Sequence, residues 1–247
     1  RAEMPTAPLH LFALEHHSNE EHRAIAAVVK DYVNTHIKPQ VADWFELGEL
    51  PARELARDFG SLGVLGMHLQ GYGCAGTSAT AYGLAALELE AGDSGIRSLV
   101  SVQGSLAMFA IHEFGTEEQK KDYLEPLFNG EIRSAFCMTE PEVASSDATN
   151  VQTRIEKVGN EYVINGRKWF ITNAAHPELG VMIVMGKTDP TAEVHRQQSQ
   201  IIVPPGTPGV KIVRNIPVMH HISPEGHCEV VFDNVRVPAT NLIAEEG

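Results

Sequence analysis

The sequence predicts an α+β protein, with an all-helical N-terminal domain followed by an antiparallel β-sandwich or barrel-like domain. Three observations predict it. Up to about residue 130, apolar residues recur at helical spacing behind capping boxes. From about residue 131, that spacing gives way to short β-rich runs divided by Gly, Pro and Asn. With 247 residues and 43% hydrophobic content, the chain can bury one large core or two modest ones. The expected division is residues 1–130 and 131–247.

Ser18-Asn19-Glu20-Glu21 reads as a capping box, and Ile25, Val28, Val29, Tyr32 and Val33 then mark one helix face, to about Thr35. Pro39 lies just beyond. Pro51 suits the first position of a second helix. The glycine-rich stretch 60–76 reads as loop. It is no phosphate cradle, because Gly71-Tyr72-Gly73 lacks a strand before it and a P-loop lysine after it. Two longer helices are expected at about 79–91 and 96–113. Thr116-Glu117-Glu118-Gln119 opens another, to about Phe128, and Asn129-Gly130 ends it.

Strands are expected near 134–138, 151–157, 162–171, 181–187, 199–203, 210–214 and 228–237. Val158-Gly159-Asn160-Glu161 is a hairpin turn between two of them. Pro204-Pro205-Gly206 and Thr207-Pro208-Gly209 form a rigid connection.

A formal charge of −13 argues against nucleic acid or an anionic membrane surface as partner, since both need a basic face. A local basic patch for an anionic ligand stays open, with Lys168, Lys211 and Arg214 as its candidates or as plain surface charges. Three cysteines, Cys74, Cys137 and Cys228, are too widely spaced for a disulfide framework or a metal motif and fit a reducing compartment. No run of 18 apolar residues predicts a membrane span. Among the 12 histidines, His16, His17 and His22 lie near a helix start, and His220, His221 and His227 near a loop. Neither set has the spacing of a zinc motif, so they read as loop or surface residues. The start at Arg1 and the stop at Gly247 just after a strand read as a processed or partial chain.

Two stretches carry the chemistry. One is Phe136-Cys137-Met138-Thr139-Glu140-Pro141, followed by Ser145-Ser146-Asp147. The other is Asn165-Gly166-Arg167-Lys168-Trp169-Phe170-Ile171-Thr172-Asn173. Thr139 and Thr172 each end a short apolar run, where a strand tip presents a hydroxyl. Phe136 and Phe170 supply apolar wall. Ser145 and Ser146 lie in a small-residue turn that can offer N–H groups to a phosphate or to pantetheine. A flat, largely apolar isoalloxazine ring with a polar rim is held by such a wall plus a few aimed hydroxyl and backbone groups. Glu140 reads as a turn residue.

Together these stretches resemble the flavin-binding segments of the acyl-CoA dehydrogenase family, in which two such motifs lie on neighbouring strands along one edge of FAD. The likeness extends from about Ser18 to the end. Ile37-Lys38-Pro39, Leu62-Gly63-Val64-Leu65-Gly66 and Phe114-Gly115-Thr116-Glu117-Glu118-Gln119-Lys120 are similar to segments of its helical domain. Phe232-Asp233-Asn234-Val235-Arg236-Val237-Pro238, followed by Asn241-Leu242, is similar to the exit from its β domain.

The resemblance implies FAD as cofactor, held by Phe136, Met138, Thr139, Ser145, Phe170, Ile171 and Thr172. It implies an acyl-CoA substrate near Ser146, an electron-transfer flavoprotein as acceptor, and a homotetramer or homodimer. The compartment implied is the cytoplasm, or the mitochondrial matrix in a eukaryote. Two subgroup signals diverge. The stretch from Glu88 to Gln103 resembles the glutaryl-CoA dehydrogenase subgroup, where residues matching Arg97, Ser101 and Glu90 contact a distal carboxylate. A guanidinium suits that task through two parallel hydrogen bonds; equally, Arg97 can salt-bridge Glu90 or Asp93 on its own helix. The stretch from Phe136 to Asn150 resembles instead the larger eukaryotic and bacterial members that prefer longer chains, with a loop one residue longer than usual.

In the family, a glutamate removes the α-proton while the β-hydrogen leaves as hydride to the flavin. That glutamate lies in a C-terminal helical bundle missing from this chain, so no catalytic base is expected within it. Competing expectations are a related flavoprotein oxidase or N-hydroxylase, or a non-catalytic flavin- or acyl-CoA-binding protein.

Overall fold

The structure is a computed structural model that describes residues 17–223 and 226–247. His16 lies outside the described residues. Helices come first: α1 (Glu20–Tyr32), α2 (Val41–Leu47), α3 (Ala52–Ser61), α4 (Ala79–Glu90), α5 (Ser94–Ser101), α6 (Phe109–Phe114) and α7 (Glu117–Phe128). A small hairpin, β1 (Gln70–Gly71) with β2 (Cys74–Ala75), interrupts them. The large sheet follows: β3 (Arg133–Cys137), β4 (Arg154–Val158), β5 (Glu161–Thr172), β6 (Leu179–Lys187), β7 (Gln198–Val203), β8 (Val210–Asn215), β9 (His227–Pro238) and β10 (Leu242–Ile243).

Several elements differ from expectation. The α1 cap is Asn19, not Ser18. Its side chain accepts the His22 N–H at 2.8 Å, and His22 Nδ1 accepts the Asn19 N–H in return. An imidazole at the third position thus replaces the glutamate of the usual box. Helix α1 continues through a π turn, Val33–Ile37, beyond the expected end near Thr35, and α2 follows before the helix expected at Pro51. The glycine-rich stretch 60–76 contains the β1–β2 hairpin rather than plain loop. The single helix expected over 96–113 is two helices around a wide π turn, Val102–Met108. That turn buries Gln103, whose amide donates to the Leu127 and Ile132 carbonyls and accepts from the buried Arg133. Its Gly104 lies against the Gly66 backbone, where a Cβ would meet the Gly66 nitrogen at 2.7 Å.

The sheet is mixed rather than wholly antiparallel. Its order is β10-β7-β6-β4-β5-β9-β8, with β3 running parallel to β6 on that strand's other side. Strand β4 joins β6 through one parallel pairing, Arg154 with Lys187. The β4–β5 hairpin turns at Gly159-Asn160 as expected, with Gly159 at φ +63°.

Three cores result. The first lies among the helices around Val29, Val33, Leu55, Phe59, Leu89 and Leu99. The second lies inside the folded sheet around Cys137, Ile164, Ile171, Val184, Val230 and Phe232. The third joins the two, with Met108, Ile111, Leu124 and Leu127 packed on Val181, Ile183 and Ile202. Strand β6 therefore buries both faces, which explains its unbroken apolar run. Each fully buried Leu or Ile here stabilises the fold by about 1.5–3 kcal/mol. Among the described residues, no helix is long and apolar enough to cross a membrane, and no group of three or more His, Cys, Asp and Glu could hold a metal ion.

Candidate functional site

Strand β5 shifts register against β9 twice, once between Ile164 and Gly166 and again after Lys168, resuming at Ile171. In that bulge, Phe170 takes φ +52°, a conformation an aromatic residue rarely adopts. The bulge frees Trp169 from β9. Its N–H donates to the Thr139 carbonyl at 3.0 Å, and the Thr139 hydroxyl donates to the Trp169 carbonyl at 2.6 Å. Further on, the Asn173 side chain donates to the Ser134 carbonyl at 2.9 Å. The end of β5 thus runs beside β3 and the residues that follow it through three bonds, two at Thr139 and one at Ser134, although the ladder partner of β3 is β6. The two motifs meet by this bulge rather than by ordinary strand pairing.

The meeting leaves a ledge. Phe136, Met138, Thr139, Trp169 and Thr172 are half-buried, and Phe170 is exposed. Trp169 and Phe170 pack edge to face with ring centroids 4.9 Å apart. Thr172 lies 3.1 Å from His227 Nδ1. Ile171 faces inward, its side chain in the sheet core, so only its backbone can meet a ligand.

Other expected residues sit differently. Ser145 is buried and its hydroxyl accepts the Glu140 N–H at 2.6 Å. That removes its side chain from any phosphate, whereas Ser146 is exposed. Lys168 is no surface charge. It is fully buried, with Nζ 2.8 Å from both the Met138 carbonyl and the Glu140 carboxylate. Glu140 is a buried strut rather than an ordinary turn residue. It also accepts from the Gln152 N–H at 2.7 Å, the Thr153 N–H at 2.9 Å and the Thr153 hydroxyl at 2.6 Å. Burial would push its carboxyl up, but Lys168, Thr153 and the Gln152 amide outweigh that and hold it below the usual carboxylate range. Lys211 is exposed, and Arg214 shares the carboxylate of Glu229 with Arg167.

The structure brings Glu90, Arg97 and Ser101 together at the α4–α5 turn. Asp93 caps α5 through the Gly95 and Ile96 amides. Arg97 Nε donates to Glu90 at 2.7 Å and Nη1 to Ser101 at 2.9 Å. Hydrogen bonds from Ser94 and Arg97 hold the Glu90 carboxyl below its ordinary range. Among the described residues, Arg97 Nη2 makes no hydrogen bond. Trp169 and the buried role of Lys168 were not singled out from the sequence, and His227, read there as a loop or surface histidine, instead opens β9 half-buried beside Thr172. For Trp169 the signal was present, an aromatic pair preceding Thr172.

Residues 19–131 match the family description "Acyl-CoA dehydrogenase, N-terminal domain", and residues 135–235 match "Acyl-CoA dehydrogenase, middle domain". The chain belongs to the acyl-CoA dehydrogenase family. It is 56% identical over 140 residues to a probable acyl-CoA dehydrogenase of Mycobacterium tuberculosis, covering 57% of this chain and 34% of that protein. It is 54% identical over 143 residues to acyl-CoA dehydrogenase family member 11 of Gallus gallus, covering 57% of this chain and 18% of that protein. A glutaryl-CoA dehydrogenase from Mycobacterium smegmatis, solved in complex with FADH2, superposes with a TM-score of 0.86 at 44% identity, over 98% of this chain and 60% of that one. The chain therefore spans only part of the length of each relative.

Proposed function

We propose that this chain forms the flavin edge and part of the acyl-CoA pocket of an acyl-CoA dehydrogenase, with residues 1–130 and 131–247 as its helical and β domains. The observation that carries the reading is the reciprocal Thr139–Trp169 pairing. It presents an apolar wall of Met138, Trp169 and Phe170 beside two hydroxyls, which fits a flat heterocycle with a polar rim. The fit with FAD is at that end: Thr139 already donates to Trp169, so its hydroxyl can only accept from a ring N–H. FAD held there would supply the hydride acceptor for α,β-dehydrogenation of an acyl-CoA thioester. The chain's own residues bind, orient and exclude water.

Glu140, with its carboxylate fully engaged inside the fold, is unsuited to take a substrate proton. The base is proposed to come from outside this chain, and the pocket to be completed by the rest of a homo-oligomer that passes electrons to an electron-transfer flavoprotein. The Glu90–Arg97–Ser101 cluster, with one guanidinium nitrogen spare, supports a substrate with a terminal carboxylate such as glutaryl-CoA. The test is anaerobic mixing of the FAD-loaded full-length protein with glutaryl-, butyryl- and long-chain acyl-CoA. Bleaching of the flavin, fastest with glutaryl-CoA, is expected; no bleaching by any of them would reject the reading.

A further inference from the structure

We propose that the buried Glu140–Lys168 pair is the positioning element of the flavin edge: it fixes where the Thr139 hydroxyl points, and through it how tightly the ring is held. This rests on the flavin-edge reading above. The geometry is specific. Lys168 Nζ bonds the carbonyl of Met138 and the side chain of Glu140, the residues directly before and after Thr139, both at 2.8 Å. One ammonium therefore grips the chain on either side of the hydroxyl. Lys168 is also the neighbour of Trp169, whose carbonyl accepts the Thr139 hydroxyl and whose N–H donates to the Thr139 carbonyl. Strand β3 ends at Cys137, so no ladder holds residues 138–140. The ion pair does that work instead.

The far side of Glu140 is anchored as well. Its carboxylate receives Gln152 and Thr153, and its N–H donates to Ser145, closing the loop 141–151 at both ends. Lys187 N–H in turn donates to the Thr153 carbonyl at 2.7 Å. The hydroxyl is thus held against β5, β6 and the loop at once. An ion pair this deep gives little net stability, because desolvating two charges offsets their attraction. Its hold on the Met138 carbonyl and the Glu140 carboxylate, on either side of one candidate ligand-facing residue, is better explained by orientation.

The test is a coupling measurement on the full-length protein, read by FAD affinity and by the position of the flavin absorbance band. Thr139→Val alone should weaken FAD binding about fivefold, the loss of one ordinary hydrogen bond. The comparison background is Lys168→Met with Glu140→Gln. It removes both charges and the grip on Met138, and keeps one acceptor oxygen, enough for the Thr153 amide but not also for the Gln152 amide, which bonds the other carboxylate oxygen. In that background, Thr139→Val should change affinity less than about twofold and leave the band in place, since the hydroxyl is no longer aimed. An undiminished fivefold effect there would overturn the proposal and make the pair purely structural. If Thr139→Val has no effect even beside the intact pair, the flavin-edge reading fails and takes the proposal with it. Should the charge-free background not fold, Thr153→Val carries the same measurement. It deletes one bond to Glu140 and leaves both charges, and the Thr139→Val effect must shrink in it.

Discussion

Thr139 and Trp169 bind each other at both ends: one gives a hydroxyl to the other's carbonyl and receives that residue's N–H in return. A threonine so committed offers a ligand lone pairs only. Replacing Thr139 and Thr172 together with valine preserves shape and removes two hydroxyls, at about 1 kcal/mol each. FAD affinity of the full-length protein should fall by about one order of magnitude or more, as measured by titration of the apoprotein. Unchanged affinity would show that the ledge binds something else.

Phe170 offers a separate test because its backbone and side chain have opposite effects. At φ +52° the backbone costs a non-glycine residue about 1–3 kcal/mol. Phe170→Gly removes that cost and also the exposed ring. The melting temperature of the apoprotein should hold or rise while FAD affinity falls. A lower melting temperature with full affinity would make Phe170 a packing residue.

The Arg97 cluster predicts substrate choice. Arg97→Met should cost about 2–5 kcal/mol in transition-state binding for a carboxylated acyl chain. The specificity constant for glutaryl-CoA should drop about a hundredfold, and that for butyryl-CoA far less. Glu90 is half-exposed, so losing its partner should change stability by only about 0–1 kcal/mol. Equal losses for both substrates would leave the longer-chain likeness of residues 136–150 as the better guide.

His68 predicts a pH effect on stability. It packs between Tyr82 and Phe109, and its Nδ1 is buried without a hydrogen-bond partner. Burial, then the nearby His112, pull its pKa below the usual histidine value, against a smaller opposing pull from Glu113. The folded state therefore resists protonation more than the unfolded chain. Full stability is present above the unfolded pKa of about 6.5 and is lost as pH falls below it. His68→Phe should flatten the fall in urea midpoint between about pH 7.5 and 5.5. A slope identical to the parent's would place the effect elsewhere.

Much of this was legible in the sequence. The seven expected strands of the β half lie within three residues of expectation at each end, because turn residues bound them sharply, whereas the short β10 was not expected. The box at Thr116 holds as expected, with Gln119 reaching back to the Thr116 N–H at 3.0 Å. What escaped were features decided by distant partners. Strand β4 starts at Arg154 rather than Val151 because Gln152 and Thr153 give their amides to Glu140. The break in the long helix follows from Gln103 reaching across to Leu127 and Ile132, which no local periodicity shows. Lys168 read as surface because a lysine between an arginine and a tryptophan gives no sign of the carboxylate 28 positions earlier.

The lone Arg154–Lys187 pairing makes the large sheet two ribbons stitched at a seam. On one side lie β3, β6, β7 and β10; on the other, β4, β5, β9 and β8. Thr139 belongs to the first ribbon and Trp169 to the second, so the ledge straddles the seam. Its width is therefore set by a few stitches, the Trp169 N–H to Thr139 carbonyl bond among them, rather than by the fixed spacing of a continuous backbone ladder. Substitutions at those stitches would open or narrow the cleft by fractions of an ångström while leaving both ribbons intact.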